Sequence, residues 1–310
     1  RIISVFKKYD IRYFFYIGGN DSMDTADRVN RLASEEGYEL SVVGIPKTID
    51  NDLAYTDHCP GYGSVIKYLA TMVMEAGRDT EAMATSDTVN IIETMGRNAG
   101  WIAAGTALAR RDHEDAPHIV ILPEKPFNKE RFLQHLDSYL KSLGRAVIVV
   151  SEGARYEDGT YISEQKGEFS KDAFGHTQLG GAALYLKNIV ETEMKVKARF
   201  AIPSTIQRNG IHIASKTDSD EAYELGKAAV RAAMEGVSGK MVNIERVSDS
   251  PYNWQQGFAE LSDVANGEKM FPAEWLSEDG FFVTEEFKRY ALPLIQGEVT
   301  AHFSNVLPQF

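Results

Sequence analysis

Two carboxylates two residues apart, Asp50 and Asp52, follow a lysine and a threonine in the run Pro46-Lys47-Thr48-Ile49-Asp50-Asn51-Asp52-Leu53. The run comes directly after Leu40-Ser41-Val42-Val43-Gly44-Ile45, which reads as a buried strand. Ligands of open α/β sheets bind at the carboxyl ends of strands. Like charges crowded at such a position cost free energy unless a cation, a proton or a substrate uses them. The chemistry on offer is a base beside an anion-binding group. A second loop of this kind lies upstream. Arg12 to Ile17 is an aromatic and apolar strand candidate that runs into Gly18-Gly19-Asn20-Asp21-Ser22, and helical spacing resumes at Met23, Ala26, Val29 and Ala33. Strand, glycine pair and helix together bring backbone N–H groups close to a phosphate at a helix N-terminus. A glycine pair alone more often marks only a turn.

The elements that must position these loops follow from periodicity. Strands and helices alternate, which predicts an α/β protein with mainly parallel sheets. Residues 62–80 read as a helix, 88–93 as a strand, and a further helix starts near Trp101. His118–Leu122 reads as a strand, and Phe132, Leu133, Leu136, Tyr139, Leu140 and Leu143 mark one face of a helix. Ala146–Val150 reads as a strand ending in Ser151-Glu152-Gly153. A polar stretch from Ala154 to Phe174 breaks the alternation and reads as a long loop, closed by Phe174-Gly175-His176. A helix near 178–194, a strand near 198–202 ending in Thr205-Ile206-Gln207-Arg208, a helix near 219–235 and a strand at 241–246 complete the pattern.

Composition narrows the function classes. The 310 residues suggest about two domains. A net charge of -12 argues against nucleic acid or an anionic membrane as the main partner. No apolar run approaches the ~18 residues that a membrane helix needs. A single cysteine, Cys59, excludes a disulfide framework and fits a reducing, cytoplasmic compartment. The histidines at 58, 113, 118, 135, 176, 212 and 302 show no metal-ligand spacing.

Five strand ends carry polar, reactive residues: Gly18–Ser22, Lys47–Asp52, Met95–Arg97, Ser151–Gly153 and Thr205–Arg208. Five such loops in phase with the strands predict a shared ligand crevice. Lys47, Arg97, Arg199 and Arg208 can hold phosphates, and Asp21, Asp50 and Asp52 can serve as base or Mg²⁺ ligands. This is an inventory for phosphoryl transfer, in which positioning and charge neutralisation supply most of the catalysis. Arg199 also has a plainer reading, as an ion-pair partner of Glu191 or Glu193.

Taken in order and at this spacing, Pro46-Lys47-Thr48-Ile49-Asp50-Asn51-Asp52, Met95-Gly96-Arg97, Ser151-Glu152-Gly153 and Ile206-Gln207-Arg208 resemble the 6-phosphofructokinases over residues from about 10 to 290. Lys47, and Asp21 as fourth residue of the glycine loop, resemble the pyrophosphate-dependent branch, since ATP enzymes typically carry glycine at both positions. The resemblance implies Mg²⁺-dependent transfer of a phosphoryl group from pyrophosphate to the 1-hydroxyl of fructose 6-phosphate, a glycolytic reaction, by a homodimer or larger homo-oligomer. Asp50 is then the base, Asp52 supports Mg²⁺ and orients it, Lys47 meets the transferring phosphoryl group, and Thr48 bonds near it. Gly18, Gly19 and Asp21 bind the donor, with Asp21 filling the space of an adenine nucleotide, while Asn20 and Asp52 take the metal. Met95, Gly96 and Arg97 line the sugar phosphate, Glu152 accepts from its hydroxyls, Arg208 holds the 6-phosphate, and Arg199 reaches that phosphate from a neighbouring subunit.

The resemblance further implies two three-layer domains: a larger donor-side domain of 1–62 plus 208–285, a smaller sugar-phosphate domain of 63–207, and a C-terminal helix and tail over 286–310. Asn20 stands where the family usually has an aspartate, Thr205 where it has histidine or tyrosine, and Thr88 where some relatives have arginine. The family's first βα unit has no counterpart in the sequence, which reads as truncated at its N-terminus. An ATP-dependent phosphofructokinase and a non-catalytic regulatory subunit that binds sugar phosphate are the alternatives.

Overall fold

The computed structural model describes residues 1–83, 86–162 and 181–309. The chain divides into two compact units, one of 1–63, 215–269 and 296–298, the other of 64–214, 270–295 and 299–310.

The first unit is built on a four-stranded sheet of order β1-β2-β7-β8. β1 (Tyr13–Gly18) and β2 (Ser41–Pro46) run parallel in a register that sets Gly18 beside Pro46. β7 (Lys240–Asp249) continues parallel to β2, and β8 (Tyr252–Glu260) returns antiparallel at the edge. On one face, α1 (Ile2–Tyr9), α2 (Asn20–Glu35) and α8 (Leu261–Asn266) bury Ile3, Met23, Ala26 and Leu261 against Val42 and Met241. On the other face, α7 (Lys216–Met234) packs Leu225, Ala228 and Ala229 against Val43, Val242 and Ile244. The Ser215 side chain caps α7 by accepting from the Asp218 N–H. The strand at 241–246 is thus one arm of a hairpin, and both α1 and β8 lie outside the elements that periodicity had marked.

The second unit holds an all-parallel sheet of order β4-β5-β3-β6. β3 (Val89–Thr94), β4 (Ile119–Ile121) and β5 (Ala146–Ser151) lie at its centre or buried end, and β6 (Ala198–Ala201) is exposed along most of its length. β5 is buried at all six positions, as expected of a parallel strand covered on both faces. α5 (Lys129–Leu143) and α6 (Ala182–Ile189) cover one face through Phe132, Leu136, Ala183 and Leu186. α5 starts under an Asn128 side-chain cap and stops at Gly144, whose φ of 71° suits a residue without Cβ. α3 (Tyr62–Ala82) packs through Ile66 on Gly105, at the end of α4 (Trp101–Gly105). A Cβ at Gly105 would lie 2.2 Å from Ile66 Cγ2, so the contact requires glycine.

The domain boundaries differ from the expected ones. Residues 208–214 and 270–285 belong with the second unit, which takes the longer share of the chain. The physical reason is an aromatic cluster: Phe271, Trp275, Phe287 and Tyr290 gather around one another and Trp101, with the Trp101–Phe271 centroids 5.1 Å apart and Trp275–Tyr290 4.8 Å. Gly210 packs on the Tyr68 ring at a distance only a glycine tolerates. The C-terminal helix is α9 (Glu285–Ala291), and the tail ends in a two-residue hairpin, β9 (Phe303–Ser304) with β10 (Leu307–Pro308). The long polar stretch is described only to Ile162, where Arg155 and Tyr161 bridge across a turn at Gly159. The rest of that stretch, Phe174-Gly175-His176 and the first residues of the expected 178–194 helix lie outside the described residues. Among the described residues no helix is long and apolar enough to cross a membrane.

Candidate active site

In the first unit, the parallel pairing of β1 and β2 sets the glycine loop and the Lys47–Asp52 loop side by side. The Lys47 N–H donates to Gly18 O at 3.0 Å. A Cβ at Gly19 would lie 3.8 Å from Thr48 Cβ, and one at Gly18 would strike Ser22 Oγ at 2.0 Å. Gly18 is therefore required by the close return of α2, whereas a Cβ at Gly19 would make only an ordinary van der Waals contact with Thr48. α2 begins directly after Gly19, with Asp21 exposed in its first turn. Free N–H groups at that end of the helix favour an anion.

The base loop is tied by its own atoms. The Asp50 N–H donates to Thr48 Oγ1 at 3.1 Å. Burial pushes the Asp52 carboxyl above its ordinary value, with the Glu268 charge adding to the rise, while its own N–H, Lys269 and Thr48 oppose it. Asn51 between them adopts φ 57° and is wholly buried; its Oδ1 accepts from the Cys59 N–H at 3.0 Å and from Lys269 Nζ at 3.1 Å. Lys47 is exposed at the head of the loop.

Sequence reasoning missed the segment Gly267-Glu268-Lys269. Asn20 Nδ2 donates to Gly267 O at 2.8 Å, and the Lys269 N–H donates to Asp52 O at 2.8 Å. Three residues thus tie the glycine loop to the Lys47–Asp52 loop. The Lys269 ammonium, partly buried, has its pKa lowered by desolvation, and it also donates to Thr56 O and Asp57 O at 3.3 and 2.8 Å. A lone lysine after a short helix carries no periodic or motif signal, and only the fold brings it under Asp52. The bond to Gly267 spends the Asn20 amide nitrogen and leaves Oδ1 as the atom suited to a metal. Among the described residues no group of three or more His, Cys, Asp or Glu is arranged to hold a metal ion.

A second finding beside this loop is a buried polar chain. His58 Nδ1 is 2.7 Å from Asp57 Oδ2 and its Nε2 is 2.7 Å from Glu221 Oε2. Arg246 donates to both Asp57 oxygens at 3.0–3.1 Å, and the Tyr252 hydroxyl donates to Glu221 Oε1 at 2.5 Å. Burial works against a charged imidazolium, but the two carboxylates outweigh it and raise the His58 pKa.

In the second unit, β3 and β5 pair in register to Thr94 and Ser151, so their loops are neighbours. Ser151 Oγ donates to Gly96 O at 2.6 Å, and the Gly96 N–H donates to Glu152 Oε1 at 3.3 Å. Gly96 has φ 120°, which a side chain would strain. Gln207, 1% exposed, accepts the Met95 N–H on Oε1 at 3.2 Å and ties that loop to the 3₁₀ turn Ser204–Arg208. Gln207 had been read only as part of a motif; its position makes it the third stitch. Met95, Gly96, Arg97 and Glu152 therefore form one cluster, with Arg208 and Thr205 exposed on the turn bound to it. Arg199 stands apart, on the edge strand β6, with its side chain 61% exposed. Its partner is neither Glu191 nor Glu193 but Asp87, at 2.9 Å. Glu191 is taken by Lys187 and Glu193 by Lys129.

Residues 1–233 match the family described as Phosphofructokinase. The chain belongs to the phosphofructokinase family. The pyrophosphate–fructose 6-phosphate 1-phosphotransferase of Halomonas elongata is 48% identical over 310 residues, covering 100% of this chain and 73% of its own length. The enzyme of the same name from Methylococcus capsulatus is 45% identical over 311 residues, again 100% of this chain and 73% of its own. Among solved structures, the pyrophosphate-dependent phosphofructokinase from Marinobacter aquaeolei superposes with a TM-score of 0.90 at 43% identity, over 99% of this chain and 73% of that one. The phosphofructokinase architecture of mixed α/β units with mainly parallel sheets is therefore the one the strand pattern predicted, and the chain spans about three quarters of these relatives' length.

Proposed function

We propose that this phosphofructokinase transfers a phosphoryl group from pyrophosphate to the 1-hydroxyl of fructose 6-phosphate, a glycolytic step carried out in the cytoplasm. The observation that carries the reading is the Lys47–Asp52 loop beside the glycine loop, in a chain 48% identical along its whole length to a relative of that activity. In this reading the 1-hydroxyl oxygen attacks the terminal phosphorus, the bond to the leaving phosphate breaks, and Asp50 takes the hydroxyl proton. Thr48 and the buried Asn51 hold Asp50 in place, and the Lys47 ammonium and the N-terminus of α2 offset the charge of the donor. Asp21 in the first turn of α2 occupies the space of a larger donor and repels its phosphates.

Mg²⁺ fits the donor set on this side. It binds through one or two carboxylates together with substrate phosphates, and Asp52, whose pKa burial raises, is a carboxylate whose charged form a cation would stabilise. Asp52 and Asn20 Oδ1 would hold the ion, which would supply neutralising charge to pyrophosphate. On the sugar side, Arg97 and Arg208 bind the 6-phosphate and Glu152 accepts from the sugar hydroxyls. Arg199 serves a neighbouring subunit: it lies on the edge strand β6, in a segment that also exposes Phe200, Ile202 and Ile206 by 41%, 42% and 62%. Exposed apolar side chains concentrated in one segment favour a homo-oligomer. An assay of the purified protein with fructose 6-phosphate and each donor tests the reading; turnover with pyrophosphate supports it, and inactivity despite sugar-phosphate binding would instead favour a regulatory role.

A further inference from the structure

We infer that Arg155 is a positioning residue that sets the place of Arg97, and through it the affinity for the sugar phosphate. The inference rests on the functional reading above. Gly153 and Arg97 meet backbone to backbone: a Cβ at Gly153 would lie 2.1 Å from Arg97 O and 2.8 Å from Gly96 O. Two strand-end loops that close on each other in this way bring backbone carbonyls together, and each carbonyl needs a donor. The Arg155 guanidinium supplies it. Its Nη2 donates to Arg97 O at 3.2 Å and reaches Asn98 Oδ1 at 3.5 Å, and its Nε donates to Gly153 O at 3.3 Å. One planar fork therefore bonds both loops at once, a geometry that a lysine ammonium does not reproduce.

The fork is itself held. Arg155 stacks over the Tyr161 ring at 4.7 Å and bridges to Tyr161 along the backbone, while its carbonyl accepts from the Phe127 N–H at 2.7 Å. At the far end of the same loop, Glu124 Oε1 accepts from the Gly100 N–H at 2.8 Å and the Phe271 N–H at 3.2 Å. The segment from Arg97 to Gly100 is thus fastened at one end by a guanidinium and at the other by a carboxylate. Arg97 lies in the loop after β3, outside any regular element, and its backbone is held in part by these two fastenings.

The test is a split between Michaelis constants. Arg155→Met should raise KM for fructose 6-phosphate by about 10-fold, with KM for pyrophosphate changed less than about 2-fold and kcat less than about 3-fold, the size of effect that a small misplacement of a binding group produces. Arg155→Lys should fall between the variant and the wild type. Calorimetric titration with fructose 6-phosphate alone should show the same order of affinities. An unchanged KM for fructose 6-phosphate in Arg155→Met, or an equal rise in both constants, would overturn the inference while leaving the functional reading intact. A wild-type protein that neither binds nor turns over fructose 6-phosphate would overturn both. If Arg155→Met does not fold, Arg155→Lys carries the test through the same split.

Discussion

At the residue scale, the account turns on Asp50 and on the glycine contact between the substrate loops. Asp50→Asn keeps the size of the side chain and its N–H bond to Thr48 but removes the base. Turnover should fall by ~10²–10⁴ with fructose 6-phosphate binding nearly unchanged; steady-state kinetics together with calorimetry read both, and near-normal kcat in a folded variant would remove Asp50 from the mechanism. Gly153→Ala should push the two loops of the second unit apart, because the new methyl carbon would overlap Arg97 O, a backbone atom with little freedom to yield. KM for fructose 6-phosphate should rise by ~10–100-fold, and an unaltered KM would show that the loops do not depend on this approach. Lys47, Asp50 and Arg97 could be singled out as candidates from the sequence because their type and order carry chemistry. Lys269, Gln207 and Arg155 could not, because each acts on a backbone carbonyl, amide or side-chain oxygen that only the folded chain brings within reach.

At the element scale, the apolar runs of β2, β3 and β5 and the helical face of α5 were readable from spacing alone, since buried parallel strands and amphipathic helices leave strong periodic signals. β8 was not: Asn253, Gln255, Gln256 and Gly257 interrupt its apolar pattern, and it is held by pairing with β7 rather than by burial. Residues 270–285 were expected with the larger donor-side domain but cluster with the second unit, because aromatic clustering around Trp101 has no sequence period. The buried chain of Asp57, His58, Glu221, Tyr252 and Arg246 joins the loop after β2 to α7, β7 and β8, with Lys269 bonded to the Asp57 carbonyl. Its pH response has a definite sign. The His58 pKa is raised above its ordinary 6.5, so its stabilisation is complete below that value and is lost as pH rises through the folded-state pKa. Urea denaturation across this range should show stability declining with pH in the wild type. His58→Gln should be destabilised by ~3–5 kcal/mol at low pH, as when one partner of a buried pair is removed, and should lose that slope. An identical slope in the variant would place the titration elsewhere.

At the scale of the whole molecule, the Gly18–Ser22 and Lys47–Asp52 loops sit on the mixed sheet of the first unit, and the Met95–Arg97 and Ser151–Gly153 loops on the all-parallel sheet of the second; in the proposed reading these are the donor and sugar-phosphate sides. The alternation of elements made this α/β class legible, but the unit boundaries depended on packing at Gly210 and around Trp101 that no local pattern encodes. What the molecule does as a whole comes down to its phosphoryl donor, for which Asp21 at the start of α2 and Lys47 at the head of the base loop are the two residues in question. A site with a carboxylate in that first turn should admit a small anion and turn away a nucleoside triphosphate. The most direct measurement is the initial rate of fructose 1,6-bisphosphate formation by the wild-type protein with pyrophosphate and with ATP, side by side at equal Mg²⁺, alongside Asp21→Gly/Lys47→Gly. The account predicts rapid turnover with pyrophosphate, little with ATP, and at least a partial reversal of that order in the double variant. Robust ATP-dependent turnover by the wild type with none from pyrophosphate would contradict it.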